Sequence, residues 1–153
     1  MRKIKICLAC NGGGHFEQLK LATSCLKKDD YDFFYVTEKS KHLKNLMSKE
    51  RHYSFINPTT KKHLWVVNTL QALWVLFKER PNVIISTGAG VAFPIFFFGK
   101  KIFKAKTIFI CSAANVTKPS RVPFQAYKIA DLFLVQWREL KEIFPKSTYI
   151  GIL

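Results

Sequence analysis

The residues best suited to chemistry are Gly12, Gly13, Gly14 and His15, which follow the apolar run Ile4 to Cys10 after Asn11. A buried strand, a loop without side-chain bulk and a helix start make an anion site. Unpaired N–H groups point outward there, the helix dipole favours negative charge, and glycine lets a phosphate approach the main chain. His15 stands at the helix start, where the dipole disfavours a second positive charge. A neutral imidazole there can accept a proton from a substrate hydroxyl, or simply cap the helix. The spacing is not the dinucleotide fingerprint, because Glu17 falls where its third glycine would be.

A second small-residue loop, Ser86 to Gly90, offers Thr87, Gly88 and Gly90 for backbone contact with a phosphate or for a tight turn. Glu38 ends a strand-like run and suits either a sugar hydroxyl or the next helix start. Asn115, Thr117, Lys118 and Ser120 form a third polar loop, in which Lys118 can pair with a phosphate or stay a solvated charge. No nucleophile–base–acid set can be assembled from spacing. His42, His52 and His63 give no metal-ligand pattern and read as exposed, so neither a metal nor another cofactor is expected. Cys7, Cys10, Cys25 and Cys111 read as buried small hydrophobes, and a strand would send Cys7 and Cys10 to opposite faces.

These loops need a scaffold that brings them to one edge. Strand-like segments at Ile4–Cys10, Tyr31–Thr37, His52–Asn57, Asn82–Ser86, Lys106–Ser112, Asp131–Gln136 and Ser147–Ile150 alternate with helix-length segments, including Lys41–Glu50 and Lys61–Arg80. That alternation predicts one α/β domain over residues 1–153: a Rossmann-like, mostly parallel sheet with helices on both faces. Ligands of such sheets bind beyond the carboxyl ends of the strands, where both glycine loops should open.

Twenty-five Lys and Arg against ten Asp and Glu give a formal charge of +15, which favours anionic partners. The chain is 48% hydrophobic, so global disorder is excluded. Two stretches are unusually apolar. Leu64–Phe77 carries Trp65 and Trp74, and Phe96, Phe97 and Phe98 are followed by Lys100, Lys101 and Lys104. Each is too short to span a bilayer, for which about 20 residues are needed. Both suit immersion in an anionic headgroup region; Leu64–Phe77 equally suits core burial or a partner contact. Without a recognised nucleic-acid module, the basic charge ranks nucleic acid well below membrane, and none is expected as a partner. No signal peptide is expected, since Met1-Arg2-Lys3 leads straight into the first strand. The apolar tail with Ile150, Ile152 and Leu153 suits docking on a partner or a last core strand.

Taken in order, the segments Cys10 to His15 (CNGGGH), Phe34 to Glu38 (FYVTE), Val83 to Gly90 (VIISTGAG) and Asp131 to Trp137 (DLFLVQW) resemble the oligosaccharide-biosynthesis family of the ALG-fourteen type. The likeness covers nearly the whole chain and includes bacterial capsular and exopolysaccharide proteins. It implies one half-domain of a GT-B glycosyltransferase, similar to the N-terminal domain of the MurG type. In that family the chain binds a polyprenyl-diphosphate-linked saccharide acceptor and anchors the enzyme at the membrane. A separate donor-binding subunit of the ALG-thirteen type holds the UDP-sugar, which is often UDP-glucose or UDP-galactose-like in bacteria and UDP-N-acetylglucosamine in eukaryotes. The N-terminal membrane helix of eukaryotic members is expected to be missing. Attachment to the cytoplasmic face of the cell membrane then falls to the protein's own surface. By motif position, the glycine-loop role falls on Gly12, Gly13, Gly14 and His15, and the second loop on Thr87, Gly88 and Gly90. One departure stands out: relatives commonly read Ile-Glu-Ser where this chain has Ile110-Cys111-Ser112. A cysteine replaces a carboxylate in proton transfer only if strongly activated. The rival readings are a stand-alone small glycosyltransferase and a basic nucleic-acid-binding module.

Overall fold

The computed structural model describes residues 3–58, 61 and 63–153. Met1 and Arg2 of the opening basic run, and Lys62 of the Lys61–Arg80 segment, lie outside the described residues. Seven strands form one all-parallel sheet: β1 Ile4–Cys10, β2 Tyr31–Glu38, β3 His52–Phe55, β4 Val83–Gly88, β5 Lys106–Ile110, β6 Leu132–Val135 and β7 Thr148–Tyr149. Their order is β3-β2-β1-β4-β5-β6-β7, so the winding direction reverses between β1 and β4. Helices α1 Gly14–Ala22 and α2 Lys41–Leu46 cover one face; α3 Leu64–Glu79, α4 Phe93–Lys101, α5 Arg121–Tyr127 and α6 Leu140–Ile143 belong to the other.

The central strands are buried on both sides because the crossovers put helices on both faces. Alternation along β1 sends Cys7 to the α3–α4 side with Phe34, Val75 and Ile95. Cys10 goes to the α1 side with Phe16 and Leu19. Cys7, Cys10 and Cys111 are buried as expected, whereas Cys25 is exposed after α1. The polar helix stops at Leu46 rather than Glu50, with Met47 turning out of it. The helix after the second glycine loop carries the phenylalanine run. Pro94 sits in its first turn, where the missing N–H costs nothing, and the helix runs on to Lys101.

α3 resolves the choice between burial and exposure by taking both. At 3.6 residues per turn, Ala72, Val75 and Leu76 face the sheet, while Val66 (63% exposed), Leu70 (61%), Trp74 (57%) and Phe77 (61%) face outward. Among the described residues no helix is long and apolar enough to cross a membrane.

At the amino edge of the sheet, Asp131 precedes β6 and accepts hydrogen bonds from the Thr107 N–H, the Thr107 hydroxyl and Lys100 Nζ. Burial raises its carboxyl, but these donors outweigh it and hold the pKa at about 2, below the ordinary 3.8. A depressed folded-state pKa contributes stability that is complete above the unfolded value and is lost as pH falls through the folded one. The urea midpoint is therefore expected to decline between about pH 4 and pH 2. Asp131→Asn should flatten that decline; an unchanged pH profile in the variant would show that Asp131 is not its source.

Candidate functional site

The site forms at the switch point, where the loops after β1 and β4 meet at the carboxyl edge of the sheet. Gly13 adopts φ 65° as it leads into α1, a backbone that side chains rarely tolerate. A Cβ on Gly12 would lie 3.0 Å from Leu43 Cδ1 and 3.1 Å from Glu38 Oε1, so the loop folds tightly over the end of β2.

The second loop contains an irregularity that no local pattern announces. β1 pairs with β4 as Ala9 with Ser86 and then Cys10 with Gly88, which leaves Thr87 as an extra residue. Such bulges re-aim groups next to functional sites. Thr87 turns its carbonyl to His15 Nδ1 at 2.8 Å, and its hydroxyl donates to the His15 carbonyl, also at 2.8 Å. The two loops are thus clamped together through one residue pair.

That clamp defines the imidazole. A carbonyl can only accept, so Nδ1 carries the proton and Nε2 is left with its lone pair. Burial lowers the His15 pKa from 6.5, and the Thr87 carbonyl and Glu38 only partly oppose it. His15 is therefore neutral at physiological pH and equipped to accept a proton. It lines a cleft of about 310 Å³ with Gly88, Gly90, Phe109, Ser112, Asn115 and Ser120. The N–H groups of Gly14 and His15, at the start of α1, make no hydrogen bond among the described residues. Neither do those of Gly90 and Val91, in the 3-10 turn Gly90–Ala92 that leads into α4. Of these four residues His15 and Gly90 line the cleft, and free donors at helix starts favour an anion. Ala89, which also lines the cleft, holds φ 76° and ψ 159°, a region nearly confined to glycine; such strain concentrates at functional sites.

Other sequence-derived candidates fall differently. His15, Thr87, Gly88 and Gly90 are brought together in the cleft. Gly12, Gly13 and Gly14 do not line it; they form the turn that leads from β1 to His15. Glu38 does not reach the cleft: one carboxylate oxygen accepts from the Gly12 N–H and the other from Asn57 Nδ2, so it holds the glycine loop in place. Lys118 is exposed outside the cleft lining, and its neighbours Asn115 and Ser120 line it instead. Phe96 is 1% exposed, packed edge-on against Phe109, and is corrected from surface to core; Phe97 and Phe98 are half-buried. Lys100 is tied to Asp131, whereas Lys101 and Lys104 are exposed. His52 is half-buried against the Thr37 hydroxyl rather than exposed. Among the described residues no group of three or more His, Cys, Asp or Glu is placed to hold a metal ion.

The Cys111 thiol is pushed up to about 12 by burial, only partly offset by Asn115. It stays protonated at neutral pH and supplies neither charge nor base. Its loop is held by residues that spacing did not single out. Gln18 accepts from the Ala113 N–H, Gln136 donates to the Cys111 carbonyl, and Trp137 Nε1 donates to the Ala113 carbonyl at 2.7 Å. Gln136 also accepts from the Leu153 N–H, which ties the exposed C-terminal tail to the same edge. Amide side chains with long-range partners leave no periodic signal.

A doubly wound parallel sheet with its cleft at the switch point is a Rossmann-like domain. The same fold occurs in part of MurG from Acinetobacter baumannii, with a TM-score of 0.72 and 12% identity over 99% of this chain and 46% of that one. It also occurs in the UDP-N-acetylglucosamine 2-epimerase from Rickettsia bellii, with a TM-score of 0.70 and 14% identity over 94% and 42% of the two chains. The family described as "Oligosaccharide biosynthesis protein Alg14 like" matches residues 6–153, and the chain belongs to it. Among its relatives, the UDP-N-acetylglucosamine transferase subunit ALG14 of Homo sapiens is 30% identical over 98 residues, covering 56% of this chain and 44% of that protein. The protein of the same name from Kluyveromyces lactis is 35% identical over 81 residues, covering 50% and 34%. The matched region spans less than half the length of these curated relatives.

Proposed function

We propose that this chain is a membrane-associated subunit of a two-component glycosyltransferase in surface-polysaccharide synthesis. It binds a polyprenyl-diphosphate-linked saccharide and recruits a donor-binding subunit of the ALG-thirteen type, which holds the UDP-sugar. The observation that carries this reading is His15: neutral, fixed by Thr87, with Nε2 free in a cleft flanked by two helix starts. The acceptor diphosphate lies against the free N–H groups of those starts. Nε2 takes the proton of the acceptor hydroxyl as it attacks the sugar carbon and the donor's diphosphate leaves. With Cys111 protonated, no carboxylate replaces His15 at that loop.

The single domain over residues 1–153 supplies one side of the active site. The partner completes it, so that binding two substrates on two chains becomes a proximity effect. The names of the relatives, each a transferase subunit, support this division. The outer stripe of α3, with Trp65 and Trp74, and the exposed Lys101 and Lys104 form the peripheral contact with the cytoplasmic face of the membrane. The exposed Ile150, Ile152 and Leu153, on the cleft edge, face the partner.

The test is reconstitution. The chain and the donor-binding subunit from the same host are purified separately, and sugar transfer from UDP-sugars to polyprenyl-diphosphate saccharides is followed alone and combined. Transfer is expected only in the mixture. Turnover by this chain alone would replace the two-component reading with that of a stand-alone transferase.

A further inference from the structure

Among the described residues three non-glycine positions have positive φ; one is Ala89, and the other two are cations. Arg80, with φ 47°, ends α3, and Lys104, with φ 59°, follows α4. Side chains are disfavoured in this conformation, and glycine or asparagine usually fills it after a helix. Attraction to the helix dipole does not require it, since Lys78, Lys100 and Lys101 already occupy the last turns of the two helices.

Both strained cations line one groove of about 500 Å³ at the amino edge, opposite the cleft, with Phe77, Asn82, Ile102 and Phe103. No carboxylate lines it. The Arg80 and Lys104 side chains have no hydrogen bond or ion pair among the described residues. On its rim, Phe77 is 61% and Ile102 55% exposed, and Phe77 continues the outer stripe of α3 through Trp74 and Leu70. Two unpaired cations beside an open apolar stripe match a phosphate attached to hydrocarbon better than a free anion. Strain kept where glycine would relieve it points to a use for the side chain.

We propose that this groove is a headgroup site for anionic phospholipid, with the phosphate on Arg80 and Lys104 and the acyl chains along Phe77 and Ile102. It rests on the peripheral-membrane reading above. It would seat α3 along the surface, held by charge at its carboxyl end.

Flotation of the full chain on vesicles of phosphatidylcholine, with and without phosphatidylglycerol, tests both claims separately. Each cation near an anionic surface contributes about fivefold to binding. The pair Arg80→Gly, Lys104→Gly should therefore lose about 25-fold in affinity for the anionic vesicles and little for the neutral ones. Its thermal midpoint should be unchanged or raised, because glycine relieves both backbones. Inorganic phosphate should compete no better than sulfate at matched ionic strength. Undiminished anionic binding by the double variant, an equal loss on neutral vesicles, or phosphate-specific displacement would each overturn the headgroup site. Leu70→Glu with Trp74→Glu should abolish flotation on both compositions. Failure of the unaltered protein to float on either would instead overturn the membrane reading itself.

Discussion

Replacing His15 with alanine is expected to lower sugar transfer by the reconstituted pair at least a hundredfold. General-base catalysis typically contributes between about a hundred- and ten-thousandfold, and no carboxylate lines the cleft to take over, since Glu38 is held by Gly12 and Asn57. The loss should fall on kcat, because the imidazole acts on the reacting hydroxyl while the N–H groups at the helix starts bind the diphosphate. The pH profile gives a second readout. Burial lowers the His15 pKa from 6.5, so the base form persists below that value. In the unaltered protein kcat should fall as pH drops through a pKa under 6.5, and this limb should vanish in His15→Ala. His15→Asn puts an amide N–H in the place of Nδ1 and can still donate to the Thr87 carbonyl, but offers no comparable base. A low rate in this variant with a normal melting temperature would separate chemistry from loop positioning. Transfer by His15→Ala at the unmutated rate would remove His15 from the mechanism.

The largest expected effect on stability is at Gly99, in the last turn of α4. A Cβ there would lie 2.1 Å from Ile84 Cδ1, which is buried at the centre of the sheet. Two effects oppose one another when Gly99 becomes alanine. Helix propensity gains roughly 1 kcal/mol, while overpacking a tight core typically costs about 1–3 kcal/mol. Ile84 is packed on every side, so its end methyl has nowhere to go and overpacking should win. A net loss of up to about 2 kcal/mol is expected from chemical denaturation, and a larger one for Gly99→Val. Ile84→Val removes the clashing methyl and by itself costs about 0.5–1.5 kcal/mol. Combined with Gly99→Ala it should recover stability relative to the sum of the single changes. Purely additive losses would mean that helix and sheet do not meet at this point.

The same close approach seats α4 against β4, behind the loop that lines the cleft. The 3-10 turn Gly90–Ala92 precedes that helix, and Gly90 lines the site.

Much of this protein is legible from its sequence. The apolar run Ile4–Cys10 emptying into three glycines and a histidine announces a strand, a loop and a helix start. Each of these signals is local, carried by side-chain size and backbone freedom over a dozen residues. The alternation of strand and helix segments announces a parallel sheet, because only crossover connections fit that spacing. Four motifs in order point to the Alg14-like family.

Tertiary structure decided the rest. Three consecutive phenylalanines give no sign that Phe96 belongs to the core while Phe97 and Phe98 lie nearer the surface; the rotation of α4 about its axis settles that. Glu38 looks like a ligand group until its two oxygens are found on Gly12 and Asn57. The bulge at Thr87 arises from pairing with β1, far away in sequence, and it alone fixes which nitrogen of His15 is free. Sequence spacing carries short-range conformational preference, so it determined the parts of the site. Which atoms remain unpaired depends on contacts across the whole chain, and only the fold determines those.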